Sequence, residues 1–102
     1  MARRPLRLGL AQMPVVMGDK DKNVAAAEAA VNEAARAGCG LVVLPECPLA
    51  GWTSPDAARA AEPIPGPFTR RLARLARRRR LAIASGMEGS VNRPALFTVR
   101  LR

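Results

Sequence analysis

The chain has 102 residues, 49% hydrophobic and 25% charged, which is typical of one globular domain rather than a disordered or multidomain protein. It contains no histidine and only two cysteines, which excludes a Ser-His-Asp triad, a Cys-His pair and a four-ligand zinc site. Its net charge of +9 makes nucleic acid and acidic proteins candidate partners.

The first half of the chain predicts a strand, a helix and a second strand. Leucines alternate with other residues over 6–12 and predict the first strand. Asp19 or Asp21 can cap a helix that Gly38 ends. The continuous apolar run 41–44 is typical of a strand covered on both faces. The apolar helix positions recur at 3.6-residue spacing and are Val24, Ala27, Val31, Ala34 and Ala35.

The second half predicts one more helix and two more strands. The stretch 48–67 contains five prolines and two glycines, which favours a long loop. Pro67 suits the first position of a helix. Apolar residues at 81–85 predict a third strand that ends at Gly86, and alternation over 95–102 predicts a fourth. The helix positions predicted to be buried are Phe68, Leu72, Leu75 and Ala76.

Most of the positive charge belongs to that second helix, because seven of the fifteen arginines lie within 70–80. Helical spacing places Arg70, Arg74, Arg77 and Arg78 on the outward face. This face is open to three interpretations: a solvated surface, a protein interface or a nucleic-acid contact. Nucleic acid is the least favoured partner, because no aromatic residue in this stretch is available to stack on bases.

The sequence predicts a cytoplasmic protein without a membrane segment. No apolar run approaches the roughly 18 residues that span a bilayer, and the N-terminus does not resemble an export signal. Two cysteines do not form a disulfide framework, so we expect a reducing compartment.

Two carboxylates follow predicted strands, where α/β folds collect their active sites. Glu46 comes directly after the apolar run, and partial burial would suit it to general-base catalysis. The alternative is a solvent-exposed or loop-bound glutamate. Glu88 is the second such carboxylate, with a simple turn residue in the bend 86–90 as its alternative. Trp52 either lines a pocket or covers the core.

Neither cysteine fits a nucleophile from its position. Cys47 adjoins Glu46, but neighbours in an extended chain point to opposite faces, so the carboxylate cannot easily reach the thiol. Cys39 lies before the second strand, away from the expected site, and is interpreted as a small packed thiol.

The segment GCGLVVLPECPLAGW at 38–52, together with Gln12, Pro14 and the Gly66-Pro67 helix start, resembles the N-terminal portion of the nitrilase or carbon-nitrogen hydrolase superfamily. The resemblance implies a four-layer α-β-β-α sandwich, of which this chain would form an incomplete N-terminal part. It also implies hydrolysis of a small-molecule amide, nitrile or carbamoyl compound by a Glu-Lys-Cys triad, without a metal or organic cofactor. Family members commonly form dimers, which makes a homodimer an expectation here.

Of the triad, only Glu46 has a counterpart in this chain, as the general base. The family's lysine and nucleophilic cysteine come later than residue 102. The leading hypothesis is therefore that 1–102 is an N-terminal fragment of a hydrolase domain and is inactive alone. The alternatives are a non-catalytic α/β interaction module that uses its basic helix, and one half of a split hydrolase.

Overall fold

The computed structural model describes residues 5–45, 62–63, 65–88 and 94–99, and the side chains of 87–88 and 94–99 are outside that description. The described residues form, in chain order, β1 (Leu8–Leu10), α1 (Lys20–Arg36), β2 (Leu41–Val43), α2 (Pro67–Arg79), β3 (Ala82–Glu88) and β4 (Pro94–Val99). Every helix and strand predicted from the sequence is present, so the βαβαββ order is confirmed for the described residues.

The strands form one mixed sheet in the order β1-β2-β3-β4. β1, β2 and β3 are parallel, with Gly9 paired to Val42 and Val42 paired to Ile83. β4 runs antiparallel to β3. The predicted end of β3 at Gly86 is wrong, because pairing with β4 continues the strand to Glu88, which lies opposite Pro94.

Both helices pack on one face of this sheet and share one core. Ala27 and Val31 of α1 are fully buried, as is Leu72 of α2, and they pack with Val42 and Ile83 of the sheet. The predicted buried positions of α2 are all confirmed, while Val24 and Ala35 of α1 are only half-buried. The four arginines predicted to face outward, Arg70, Arg74, Arg77 and Arg78, are exposed.

Helix ends are satisfied by nearby polar groups. Asp19 caps α1, and its Oδ1 accepts a hydrogen bond from the Lys22 backbone N–H at 3.1 Å. At the other end of α1, Arg7 donates from Nη1 to the Ala37 carbonyl at 2.6 Å, where a cation complements the helix dipole. Neither described helix is long and apolar enough to cross a membrane.

The opposite face of the sheet carries no described helix and is partly exposed. Leu8 and Leu10 of β1 are 49% and 68% exposed, and Leu41 and Val43 of β2 are half-buried. We call these four residues the open face. The prediction that the strand at 41–44 is covered on both faces is therefore wrong for the described residues, because both helices lie on the side of Val42.

Gly9 lies on the side of β1 that faces α1, and the leucines on either side of it lie on the open face. A Cβ atom on Gly9 would lie 3.3 Å from both the Ala34 Cβ and the Cys39 Sγ. The helix side of β1 is therefore too close to α1 for a large side chain, and the alternating pattern places leucines on the other side.

Because Gly9 lies so close to Ala34 and Cys39, a larger side chain at this position should destabilise the fold. Gly9→Val should lower the free energy of unfolding by about 1–3 kcal/mol, because its methyl groups must displace Ala34 or Cys39. Leu8→Val on the open face should change it by less than about 0.5 kcal/mol. Urea unfolding of the two variants tests the prediction, and equal effects would contradict it.

Candidate functional site

The carboxyl ends of β1, β2 and β3 lie at one edge of the sheet, because these strands are parallel. Backbone hydrogen bonds continue past the strand ends: Ala11 donates to the Val43 carbonyl and Leu44 donates to the Ala84 carbonyl, both at 2.9 Å. Pro45, the residue before Glu46, is therefore held at this carboxyl edge, where open α/β folds bind ligands.

Three of the residues considered for the site, Glu46, Cys47 and Trp52, lie outside the described residues. Glu88 is described only in its backbone. It ends β3 opposite Pro94, so it is a strand residue rather than part of the predicted bend at 86–90.

A buried carboxylate that the sequence did not single out lies at this carboxyl edge. Glu62 is only 5% exposed. Its Oε1 accepts a hydrogen bond from the Phe68 backbone N–H at 2.7 Å, and its Oε2 lies 2.5 Å from the Lys20 Nζ. Lys20 is the first residue of α1 and Phe68 the second of α2, so one side chain connects the starts of both helices.

The contacts of Glu62 indicate a structural role. Its charge lies at the N-terminus of α2, where the helix dipole is positive, and beside an ammonium group. Each carboxylate oxygen has a partner within the chain. We therefore interpret Glu62 as a structural group that connects the starts of the two helices at the carboxyl edge.

Asn23 is a second buried polar group at this edge. Its Nδ2 donates to the Val16 carbonyl at 2.8 Å, and its Oδ1 accepts from the Val16 N–H at 2.7 Å. The Asn23 side-chain amide thus pairs with both backbone groups of Val16, as a neighbouring β-strand would, and holds the loop between β1 and α1. Asn23 and Glu62 thus both hold backbone segments on the side of the sheet where β2 ends.

The sequence contained a signal for Asn23 but not for Glu62. Asn23 precedes Ala27 and Val31 by four and eight residues, so it belongs to the buried stripe of α1. A buried amide in such a stripe needs hydrogen-bond partners. Glu62 lies in the proline-rich stretch without periodicity, and its partner Lys20 is distant in sequence.

The described cysteine lies at the opposite, amino edge of the sheet. Cys39 precedes β2, is half-buried and packs against the core beside Gly9, which confirms the packed-thiol prediction. It borders an open depression of about 310 Å³ between β1 and α1, which Glu33 also lines. Among the described residues, no group of three potential metal ligands comes together.

Comparison with known proteins agrees with this architecture. The family model for carbon-nitrogen hydrolases matches residues 7–98. No curated protein sequence matches the chain.

Solved structures match the fold. An amidase from Nesterenkonia sp. is 19% identical with a TM-score of 0.72, and the match covers 91% of this chain and 36% of that one. A CN-hydrolase superfamily protein from Xanthomonas campestris, with an arsenic adduct in its active site, is 22% identical with a TM-score of 0.73, covering 93% and 40%. The NitFhit protein of C. elegans is 20% identical with a TM-score of 0.69, covering 89% and 27%. The chain thus spans less than half of each of these structures.

Proposed function

Because the chain belongs to the carbon-nitrogen hydrolase family, we propose that residues 1–102 are the N-terminal part of one hydrolase domain that acts on a small non-peptide amide, nitrile or carbamoyl compound. The family match over residues 7–98 carries this proposal. It is supported by the position of Pro45, the residue that precedes Glu46 in sequence, at the carboxyl edge.

In this proposal Glu46 is the general base. It takes the proton from the thiol of the family's cysteine, so that the sulfur attacks the carbonyl or nitrile carbon and forms a covalent intermediate. The family's lysine stabilises the negative charge that develops on the substrate. In an amide or carbamoyl compound the C–N bond then breaks, and the nitrogen leaves as ammonia or an amine with the proton that Glu46 took; a nitrile adduct first adds one water and then loses ammonia. Water finally hydrolyses the resulting thioester, which releases the acid product and the free thiol. Trp52 and Glu88 are proposed substrate contacts.

The lysine and the nucleophilic cysteine must come from sequence outside these 102 residues, so we expect the chain alone to be inactive. The experiment begins with the coding DNA beyond codon 102, read in all three frames for a lysine-bearing segment and a strand-end cysteine. The joined protein and the chain alone are then assayed for ammonia release from amides, nitriles and carbamoyl compounds. Turnover only by the joined protein supports the proposal, and turnover by the chain alone contradicts it.

The open face fits a second candidate as well as the first: a split hydrolase whose other half is a separate chain. The open face presents Leu8, Leu10, Leu41 and Val43, and apolar surface of this kind is typical of an interface. In the four-layer sandwich, a second sheet would cover this face. The same surface serves either arrangement, whether the remaining strands come from one chain or from two.

A positive charge introduced on the open face should impair assembly without destabilising the isolated chain. Leu10→Lys should change the free energy of unfolding of the isolated chain by less than about 0.5 kcal/mol, because this side chain is 68% exposed. It should strongly reduce the yield of assembled hydrolase, since assembly would bury the ammonium group in an apolar layer. Urea unfolding and size-exclusion chromatography of the assembled protein measure the two effects. An unchanged yield would show that assembly does not use this face.

A further inference from the structure

The arginines of α2 fall into two sets with different surroundings. On the flank facing α1, Arg71 forms two hydrogen bonds with Glu28, from Nε at 3.0 Å and from Nη2 at 2.8 Å. Arg79 donates from Nε to the Asn32 Oδ1 at 2.8 Å. The outer face carries the second set, which we call the arginine stripe: Arg70, Arg74, Arg77 and Arg78.

The arginine stripe is a continuous positive surface. At 3.6 residues per turn, its four members lie within about 100° of arc and extend over about 12 Å of helix. All four are exposed, and within the described part of the chain none has a carboxylate partner.

The contact between α1 and α2 shows which kind of group the other two arginines of α2, Arg71 and Arg79, bind. Glu28 and Asn32 are four residues apart on α1, so a single helix presents oxygen acceptors one turn apart. Their partners Arg71 and Arg79 are eight residues apart on α2. On the outer face, Arg70, Arg74 and Arg78 follow one another at a one-turn spacing. A second helix with carboxylates at this spacing would match them, and arginine binds carboxylates with two parallel hydrogen bonds.

We propose that the arginine stripe is a docking surface for an acidic α-helix of another protein, which carries carboxylates at i, i+4 and i+8. The net charge of +9 attracts such a partner over distance. The stripe contains no aromatic side chain for base stacking, which favours a carboxylate-bearing partner over single-stranded nucleic acid. This docking is independent of hydrolysis and uses neither Glu46 nor the open face.

The test uses two fluorescein-labelled alanine-rich peptides of about 20 residues, long enough to form helices. One carries its glutamates on a single face, and the other carries the same number distributed around the helix. Fluorescence anisotropy at low salt should give tighter binding for the one-faced peptide. Arg74→Gln with Arg78→Gln should weaken it by about 3- to 10-fold, as expected for two exposed ion pairs.

The matched control is Lys22→Gln with Arg36→Gln, which removes the same charge from exposed positions of α1. It should weaken binding by less than about 2-fold, since only long-range attraction is reduced. Equal weakening by both double variants, or equal binding of both peptides, would mean that binding depends only on the overall positive charge and not on the arginine stripe. Either result would overturn the proposal. So would the absence of binding, or tighter binding of a 20-base-pair DNA duplex at the same salt.

Discussion

Glu46→Gln is expected to lower kcat/KM of the joined or reassembled hydrolase by about 10²- to 10⁴-fold, the usual contribution of a positioned general base. Glutamine has nearly the same size and still accepts a hydrogen bond, but it cannot take the thiol proton. The loss should therefore appear in kcat more than in KM. Steady-state kinetics on the best amide or nitrile substrate provides the measurement.

Cys47→Ser is the matched control, because it changes the adjacent residue and leaves the proposed base intact. Turnover should remain, since the nucleophile is expected beyond residue 102. If Cys47→Ser abolishes turnover while Glu46→Gln does not, both roles are assigned wrongly. Loss of the folded protein in either variant would be visible by circular dichroism and would be separated from a loss of chemistry.

Glu62→Ala is expected to lower the free energy of unfolding by about 2–4 kcal/mol. The substitution removes an ion pair and leaves the buried Phe68 N–H without its acceptor. The figure is smaller than for a fully buried pair because the Lys20 side chain is 41% exposed and its charge is partly screened by water. Urea unfolding followed by circular dichroism measures the change.

Glu62→Gln separates the contribution of the ion pair with Lys20 from that of the hydrogen bond with the Phe68 N–H. The glutamine amide oxygen can still accept the Phe68 hydrogen bond but carries no charge, so a loss of about 1 kcal/mol is expected. Lys20→Met should also cost about 1 kcal/mol, because the carboxylate keeps its backbone donor. An Ala variant no less stable than the Gln variant would contradict the connection between the two helix starts.

Local patterns in the sequence predicted most of the fold. The 3.6-residue spacing of Phe68, Leu72 and Leu75 correctly predicted the buried face of α2. Helical periodicity can be read from residues that are close together in the sequence, without knowledge of distant contacts. Strand limits were less accurate. β1 is shorter than the alternation over 6–12, and β3 is longer than predicted, because pairing with a distant strand sets where a strand ends.

Burial across the sheet was harder to infer. The run 41–44 looks the same whether helices cover one face or both, since covering residues come from elsewhere in the chain. The same holds for Glu62, whose burial depends on contacts with Lys20 and Phe68 in two separate helices. Only the three-dimensional arrangement distinguishes this carboxylate from an ordinary surface glutamate.

The candidate site was predicted partly by position and partly by resemblance. The position of Glu46 after an apolar strand favoured a site at the carboxyl edge, and the arrangement around Pro45 agrees with it. The role of general base rests on the family pattern, and it stays a prediction. The lysine and cysteine partners could not be located, because no residue of this chain matches them.

The open face also matters for synthesis on the ribosome. The connection of each parallel strand pair contains a described helix, α1 or α2, so this α/β part can fold as soon as it emerges, ahead of later segments. In a hydrolase as long as the related amidase, the remaining residues would take on the order of ten seconds to translate. During that time Leu8 and Leu10 remain uncovered. The nascent chain should therefore be a substrate for ribosome-associated chaperones and prone to aggregation when translation stalls.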